Sequence, residues 1–430
     1  MIDFKNKKVA VLGYGIEGED ATEYLLNEGA EVTIFDKQKI EQMVSSATYV
    51  TGENYLSSGL NEFDIVVRSP GVYRFIPEIV EAEKKGVLIT SPIKIFFDAC
   101  HSKIVGVTGT KGKGTTTTLI KEILSNAGYK VFLVGNIGKP YLKILKELTD
   151  DSIVVMEMSS FQLIDLTKSP SIAVVLNITS DHMDWHSSQS EYVDAKKNIV
   201  KYQSNEDFAV INEEYELPRS FADLTKSKVV FFSKDKLSEK YKKDLILRGK
   251  HNLENIAAAV SVAEILKIEE NQILNSVSNF KGLEHRLEFV GLVNGINFYN
   301  DSFATGPQPT IAAIKSFSEP ETVILGGSDK KLSYDELGEE ISKMKNIENI
   351  LLIGEVRNLI EDSLKKAGYT GNIFDLGKSD MSVIVKKSLE VTPKGGVVLL
   401  SPSAASFDMF ENYKDRGNKF KEAVNQIKHD

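Results

Sequence analysis

The chain has 430 residues, of which 42% are hydrophobic and 26% charged, a composition typical of a globular protein with two to four domains. No stretch approaches about 18 uncharged apolar residues, and the N-terminus has no signal-peptide pattern, so we expect a cytoplasmic protein without a membrane partner. The net charge of −9 argues against general nucleic-acid binding. Cys100 is the only cysteine, which excludes an intrachain disulfide and suits a reducing compartment.

Apolar strands and amphipathic helices alternate along the chain in three successive segments. In the first segment we predict a strand from about residue 7, a helix at 17–27, and strands at 31–36, 64–67 and 87–89. In the second we predict strands at 103–108, 131–134, 153–156, 172–177, 208–212 and 229–232 and a helix at 252–266. In the third we predict strands at 322–325, 350–353, 372–374 and 397–400. This alternation predicts an α/β protein with parallel sheets, whose ligands bind at the carboxyl ends of the strands.

The first segment contains a glycine loop between its first strand and first helix. Gly13, Gly15 and Gly18 form the pattern G-x-G-x-x-G, and Asp36 ends the next strand. Such glycines let the backbone approach a diphosphate at a helix N-terminus. An NAD-dependent enzyme is therefore one alternative, and a tight turn without a ligand is another.

The second segment opens with a more informative loop, TGTKGKGTTTT, which follows a strand and precedes a helix. Its small residues can line an anion site with backbone N–H groups, and Lys113 can reach the outer phosphates of a nucleotide. The loop departs twice from the strict P-loop string. Gly106 comes one residue too early, and Gly114 occupies the hydroxyl position, which leaves Thr115 as the predicted metal ligand.

Two further residues follow strands of the same predicted sheet. Glu157 ends one strand, and His182 lies in NITSDHMDWH just past another, so we expect both near the phosphate loop. A carboxylate, a hydroxyl and phosphate oxygens suit Mg²⁺. His182 and His186 have helical spacing, but without an intervening Glu or a nearby Cys they are a weak zinc pattern. Lys196 lies in a predicted helix, where composition alone favours a solvated lysine.

Several strings together resemble the Mur ligases, ATP-dependent enzymes that build the stem peptide of peptidoglycan. They are TGTKGKGTT, NITSDHMD, Y-x-x-A-K at 192–196, HNLEN at 251–255, EHR at 284–286, NDS at 300–302 and GGSDK at 326–330. Three others, MSSFQL at 158–163, SPG at 69–71 and SAASFDMF near the C-terminus, resemble the D-glutamate-adding branch of that family. Folylpolyglutamate synthases share the phosphate loop but lack the first domain.

The resemblance implies three domains, each holding one substrate. Residues 1–92 would form a Rossmann-like domain for the UDP end of UDP-N-acetylmuramoyl-L-alanine. Residues 93–282 would bind ATP on a P-loop-type sheet, and residues 283–430 would form a Rossmann-like domain for D-glutamate. The implied reaction is ATP-dependent ligation of the two through an acyl phosphate, by a chain that we expect to be a monomer. Another Mur ligase or a folylpolyglutamate-type ligase with a different amino-acid acceptor is the alternative.

The resemblance also implies roles for individual residues. The UDP substrate would contact Gly13, Gly15, Ile16, Glu17, Gly18, Asp36, Lys37, Ser69, Asn136 and Gln162. ATP would contact Gly109, Thr110, Lys111, Gly112, Lys113, Gly114, Thr115, Asn252, Asn255, Arg286 and Asp301. D-Glutamate would contact Thr305, Lys330, Ser406, Phe407 and Tyr413. Thr115, Glu157, His182 and Lys196 would hold Mg²⁺ at two sites, and Lys113, Glu157, His182 and Lys196 would be catalytic. Lys196 matches the lysine that carries a carbamate in the family.

Four positions depart from the commoner family pattern. Lys111 stands where Asn is frequent, and Gly114 where Ser or Thr is usual. Phe303 replaces a frequent Lys, and Phe407 a frequent Leu. Phe303 removes a cation beside the ATP site, and Lys111 supplies positive charge in the same region.

Overall fold

The computed structural model describes residues 2–41, 44–136, 138–243 and 245–429. These residues form two compact units. The first comprises Met1–Ser238 with Glu254–Ser276, and the second Glu239–Leu253 with Val277–Asp430. Among the described residues, none of the helices combines the length and the apolar character needed to cross a bilayer.

The first unit begins with a parallel sheet in the order β3-β2-β1-β4-β5. Its strands are β1 (Lys8–Leu12), β2 (Glu31–Asp36), β3 (Thr48–Thr51), β4 (Ile65–Arg68) and β5 (Leu88–Thr90), and its helices are α1 (Ile16–Asn27), α2 (Pro77–Lys84) and α3 (Pro92–Ala99). Strand β3 was not predicted from the sequence, because it is a short edge strand of half-exposed and exposed residues and lacks the apolar run of a central strand.

A second parallel sheet in the order β11-β10-β9-β6-β8-β7 completes this unit. Its strands are β6 (Lys103–Thr108), β7 (Val131–Gly135), β8 (Ile153–Glu157), β9 (Ile172–Val175), β10 (Phe208–Asn212) and β11 (Lys228–Phe232). The helices along this part of the chain are α4 (Lys113–Asn126), α5 (Ser160–Leu163), α6 (Gln189–Lys201), α7 (Glu216–Arg219), α8 (Lys250–Ile265) and α9 (Glu270–Asn279). Because β6 lies between β8 and β9, the segments that follow these three strands meet at one edge of the sheet.

The second unit contains the third sheet, in the order β12-β13-β17-β14-β15-β16. Its strands are β12 (Glu288–Val293), β13 (Ile296–Asn300), β14 (Glu321–Gly326), β15 (Ile347–Ile353), β16 (Asn372–Gly377) and β17 (Val397–Leu400), and its helices are α10 (Pro307–Ile314), α11 (Asp335–Lys343), α12 (Arg357–Lys366), α13 (Met381–Val391) and α14 (Tyr413–His429).

The third sheet is parallel apart from one edge strand that was not predicted, since β12 runs antiparallel to β13. The two strands are joined at Asn294 and Gly295, both of which have positive φ angles. An Asn-Gly pair between apolar runs is a strong hairpin signal, although this hairpin is not among the elements predicted above. The α/β class itself is confirmed, and the predicted strands at 103–108, 208–212 and 397–400 match the structure residue for residue.

Candidate active site

The second glycine loop connects β6 to α4 at the carboxyl edge of the central sheet. Gly112 precedes the helix with a φ of +87°, and a Cβ atom added there would lie 2.3 Å from the Asn255 side-chain oxygen. A larger residue is therefore excluded both by backbone conformation and by space. The Thr110 amide donates to the Asn177 carbonyl at 2.8 Å, which ties the loop to the segment after β9.

Lys113 lies across this loop. Its ammonium group donates to the carbonyl oxygens of Gly109 at 3.1 Å and Thr110 at 3.0 Å. In the next turn of α4, Thr116 and Thr117 are buried, and their hydroxyls bond within the protein. Thr115 is partly exposed, as a hydroxyl that reaches a ligand must be.

Glu157 is the last residue of β8, directly beside β6, and only 7% of it is exposed. Its backbone is in register with Val107, two residues before Gly109. The strand-end position expected from the sequence is therefore found. A buried carboxylate at this edge has the chemistry of a cation ligand.

Lys196 corrects the expectation of a solvated helix lysine, because only 1% of it is exposed. It belongs to α6, and its Nζ atom lies 3.1 Å from the Gly109 carbonyl oxygen and 3.3 Å from the Thr108 hydroxyl. The side chain also passes over the Tyr192 ring at 4.7 Å. The amine of Lys196 therefore lies directly under the phosphate loop.

Burial lowers the pKa of the Lys196 ammonium well below its ordinary value. The positive charge of Lys113 lowers this pKa further, while the carboxylates of Asp181 and Glu157 oppose the shift. Asp181 was not singled out from the sequence, although it precedes His182 in the same loop. The result favours a neutral amine at position 196, which is a nucleophile rather than a cation.

His182 lies in the loop after β9, with a φ of +54°. Its side chain is 44% exposed, packs against Phe161 with ring centroids 4.7 Å apart, and places Nε2 3.6 Å from Asp181. His186 differs, since it is 4% exposed and both of its ring nitrogens have partners at 2.9 Å, Glu191 and Ser160. These bonds occupy the atoms that a zinc site would need.

The first glycine loop connects β1 to α1 and is held from several sides. A Cβ atom at Gly18 would lie 2.0 Å from the Gly13 carbonyl oxygen, so the third glycine of the pattern is required for close packing. The Ser69 hydroxyl donates to that same carbonyl at 2.7 Å. The Asp36 carboxylate accepts the backbone N–H groups of Tyr14 and Gln38, both at 2.7 Å.

The remaining residues predicted for the UDP substrate differ in exposure. Gln162 is fully buried. Its side-chain oxygen accepts the Ser159 backbone N–H at the start of α5, and its side-chain nitrogen donates to the Glu17 carboxylate at 2.6 Å. Glu17 also accepts from the Tyr141 hydroxyl, and burial raises its pKa. Ile16 is 73% exposed beside it. Asn136 follows β7 and is exposed, and Lys37 is exposed in an ion pair with Glu53.

A buried ion pair beside this site was not predicted from the sequence. Arg68 is fully buried at the end of β4, and it binds Asp165 and the carbonyls of Phe161 and Val72. Arg74 binds the other oxygen of Asp165 at 3.0 Å. These bonds fix the chain on both sides of the SPG loop. No local pattern marks Arg68, because its partner is 97 residues away.

In the second unit, Asp301 and Arg286 lie close to the end of β13. Burial raises the pKa of Asp301 to about 7, although its carboxylate accepts from the Ser401 hydroxyl at 2.7 Å and the Leu287 amide at 3.1 Å. The Arg286 guanidinium lies 3.9 Å from the centroid of the Phe303 ring. Phe303, which departs from the family pattern, therefore supports a cation instead of supplying one.

The predicted D-glutamate residues lie at the same carboxyl edge of the third sheet. The Lys330 ammonium donates to the Thr305 hydroxyl at 3.3 Å. Ser406 is buried and Phe407 is 73% exposed, while the Tyr413 ring packs against Phe303 at 5.0 Å.

A second buried arginine, also missed from the sequence, orders this edge. Arg416 donates to the backbone carbonyls of Ser302, Ala404 and Ala405 and to the Ser302 hydroxyl. It thus joins the NDS loop to the loop before α14. Burial lowers its pKa to about 9.

The donor set in the first unit matches part of what Mg²⁺ requires. Among the described residues, no group of three or more His, Cys, Asp and Glu side chains is arranged to hold a metal. The oxygen donors at this edge include the Thr115 hydroxyl and the Glu157 carboxylate, and Asp181 and His182 lie in the loop after β9. Mg²⁺ commonly binds through one or two carboxylates together with phosphates and water, so the residues fit a metal that arrives with a nucleotide.

Comparison with known proteins assigns the class. The family models for the "Mur ligase MurD-like, N-terminal domain" and the "Mur ligase middle domain" match residues 7–91 and 107–248. Solved structures with the same fold include UDP-N-acetylmuramate-alanine ligase MurC from Thermotoga maritima (17% identity, 98% of this chain and 100% of that one, TM-score 0.56) and the MurF ligase of the same organism in complex with ADP (19%, 99% and 96%, TM-score 0.56). The chain belongs to the Mur ligase family.

Relatives with higher identity carry one particular name within that family. The UDP-N-acetylmuramoylalanine–D-glutamate ligase of Acetivibrio thermocellus is 41% identical over 456 residues, covering 98% of this chain and 97% of the relative. The ligase of that name from Clostridium kluyveri is 39% identical over 458 residues, covering 99% of each chain.

Proposed function

We propose that the protein joins D-glutamate to UDP-N-acetylmuramoyl-L-alanine at the expense of ATP, in the synthesis of peptidoglycan precursors. Full-length relatives of that name support the reaction. We assign the UDP substrate to residues 1–92, ATP to residues 93–282 and D-glutamate to residues 283–430, with the contact residues predicted above.

The observation that carries this proposal is the convergence of two lysines on one carbonyl oxygen. The Nζ atoms of Lys113 and Lys196 both lie 3.1 Å from the oxygen of Gly109. They are thus no more than about 6 Å apart, a distance at which two ammonium groups repel each other strongly away from bulk water. This arrangement favours a neutral Lys196 and an anion beside Lys113, as a phosphate-transferring enzyme requires.

A neutral Lys196 amine can attack carbon dioxide, forming an N–C bond and releasing a proton. The product is a carbamate, which exchanges a cation for an oxygen ligand. Thr115, Glu157, His182 and this carbamate would hold two Mg²⁺ ions. When bound, Mg²⁺ would neutralise the phosphate charges and orient them for transfer.

The chain's own residues then act by positioning and charge. A free carboxylate has a poor leaving group, so the terminal phosphoryl of ATP passes first to the L-alanyl carboxylate and gives an acyl phosphate. The neutral amine of D-glutamate attacks that carbonyl, phosphate leaves, and the nitrogen releases a proton, which gives the amide. Lys113 and the backbone N–H groups of residues 109–115 would stabilise the charge that develops on the phosphoryl oxygens. No covalent enzyme intermediate is needed.

The proposal can be tested by measuring phosphate release from ATP with each UDP-muramoyl precursor against a panel of amino acids. We expect release only when UDP-N-acetylmuramoyl-L-alanine and D-glutamate are both present. Release with another pair would reassign the protein to a sister ligase or a folylpolyglutamate-type ligase. Binding of NADH is measured as a control, and a positive result would support the alternative of an NAD-dependent enzyme.

A further inference from the structure

His186 and Glu191 form a polar network that the reaction described above does not use. The two ring nitrogens of His186 contact Glu191 and the Ser160 hydroxyl, each at 2.9 Å. Glu191 also accepts from the Tyr73 hydroxyl at 2.7 Å and the Ser187 hydroxyl at 2.6 Å. The His186 side chain is completely buried, which shields its two hydrogen bonds from competing water, whereas the Glu191 side chain is 17% exposed.

Each end of this network lies on an element that carries a predicted magnesium ligand. Ser160 begins α5, three residues after Glu157. The His186 amide donates to the His182 carbonyl at 3.0 Å, and Phe161 contacts both imidazole rings. Glu191 is in the first turn of α6, the helix that buries Lys196 five residues later. The imidazole thus joins the strand end, the loop and the helix.

The network also reaches the loop predicted to hold the UDP substrate. Tyr73 follows the SPG loop, whose Gly71 carbonyl accepts from the Trp185 ring N–H at 3.4 Å. The Trp185 ring packs against Tyr73 at 5.1 Å, His186 at 4.7 Å and Phe161 at 4.5 Å. These contacts lie within the first compact unit.

We propose that His186 and Glu191 are positioning residues that hold Glu157, His182 and Lys196 in their relative places, and that Tyr73 connects this metal edge to the UDP-substrate loop. The inference rests on the proposed function. Residues that orient metal ligands typically change metal affinity or activity by about 10- to 100-fold when they are substituted. A histidine that only stabilises the fold would leave metal affinity unchanged.

Trp185 provides a readout other than activity, because it is the only tryptophan of the chain and lies inside the network. Its fluorescence can follow Mg²⁺ binding in the presence of a non-hydrolysable ATP analogue. Labelling with ¹³C-bicarbonate and NMR can measure the carbamate of Lys196 separately. Thermal unfolding of each variant then separates loss of stability from loss of positioning.

We expect His186→Phe to weaken Mg²⁺ binding about 10- to 100-fold and to reduce the carbamate signal, while KM for D-glutamate changes little. Glu191→Gln, which keeps the shape of the side chain, should show the same change to a smaller extent. Tyr73→Phe removes one hydrogen bond and should raise KM for the UDP substrate about fivefold. His101→Gln and Tyr129→Phe alter exposed residues outside the network and serve as matched controls.

The proposal is overturned if His186→Phe and Glu191→Gln both bind Mg²⁺ with wild-type affinity and keep the full carbamate signal. If His186→Phe does not fold, Glu191→Gln alone decides the outcome. Failure of the proposed function is distinguishable, because the wild-type protein would then release no phosphate with UDP-N-acetylmuramoyl-L-alanine and D-glutamate, whatever the variants show.

Discussion

The two glycine loops of the first unit have the same local architecture but different surroundings. Each follows a strand, begins a helix, and contains a glycine whose Cβ would collide with a neighbour, at Gly18 and at Gly112. Around the first loop, Ser69 and Asp36 bond to the loop backbone. Around the second, two lysines converge on the carbonyl of Gly109. The glycine pattern is common to both loops, and we propose that the flanking side chains decide whether a phosphate would be bound or transferred.

Substitution of Lys196, the buried lysine beside the second loop, should have the largest effect on activity. We expect Lys196→Ala to lower kcat about 1000-fold, because the oxygen ligand that its carbamate would provide is lost. A small added carboxylate should restore part of the activity by occupying the same space. Steady-state phosphate release with and without the carboxylate is the measurement. Lys197→Ala is the matched control, since Lys197 is adjacent in α6 but pairs with Asp194. A fully active Lys196→Ala would refute the carbamate assignment.

Substitution of the strand-end acid should have the next largest effect. Glu157→Gln preserves shape but removes the negative charge, so we expect kcat to fall about 100-fold and the Mg²⁺ requirement to rise. A Mg²⁺ titration of phosphate release measures both. Glu213→Gln offers a control, because Glu213 follows β10 in the same sheet and pairs with Lys236. Equal Mg²⁺ curves for wild type and Glu157→Gln would remove Glu157 from the metal site.

The extent to which the sequence predicts this site depends on whether local contacts define it. Loop 108–115 and the position of Glu157 could be read from apolar runs and glycine spacing, because parallel strands bring their carboxyl ends together. The burial of Lys196 was not predicted from composition, although Lys196 lies on the same face of α6 as the buried Tyr192 and Ile199. Only the family resemblance singled out this lysine. The environment of Lys196 is created by Thr108 at the end of β6 and by Gly109, which lie 88 and 87 residues away in the sequence.

The same limit applies to the two buried arginines. Arg68 and Arg416 bind backbone carbonyls and, for Arg68, the distant Asp165, so neither belongs to a short motif. The β12–β13 hairpin is a different case, because the local Asn294–Gly295 pair is sufficient to predict it. Propensity and spacing thus predict elements and loops, while tertiary packing determines which polar groups are buried with them.

A substitution in the first loop should affect binding without affecting chemistry. Gly18→Ala places a methyl group 2.0 Å from the Gly13 carbonyl oxygen, so the loop must move. Forced overpacking typically costs about 1–3 kcal/mol, and we expect KM for the UDP substrate to rise at least about tenfold while ATP binding is unchanged. Calorimetric titration with each ligand measures the difference. Gly15→Ala, where nothing lies within 4 Å of the added Cβ, should keep the wild-type melting temperature. Equal loss of both ligands would show that the loops are not independent.

The smallest effect is expected at Glu321, a buried ionisable residue outside both glycine loops. It begins β14, is fully buried, and neither of its carboxylate oxygens has a hydrogen-bond partner among the described residues. Burial raises its pKa well above the ordinary glutamate value. Lys196 is buried beside a phosphate loop, whereas Glu321 is buried where no ligand is predicted, so its burial should only reduce stability.

The sign of the pH dependence follows from this raised pKa. Below the ordinary pKa of a glutamate, about 4.3, both folded and unfolded states are protonated. As the pH rises, the unfolded state loses its proton while the folded state retains it, so the free energy of unfolding falls until the pH passes the folded pKa. Glu321→Met removes both this dependence and the unsatisfied oxygens. We expect it to raise the free energy of unfolding by about 1–3 kcal/mol at pH 8 and by less at pH 5, measured by urea denaturation. Glu348→Met, at an exposed position on the adjacent β15, should change neither value. A gain at Glu321 that is equal at both pH values would mean that the folded carboxyl is already ionised, and the contrast with Lys196 would then be lost.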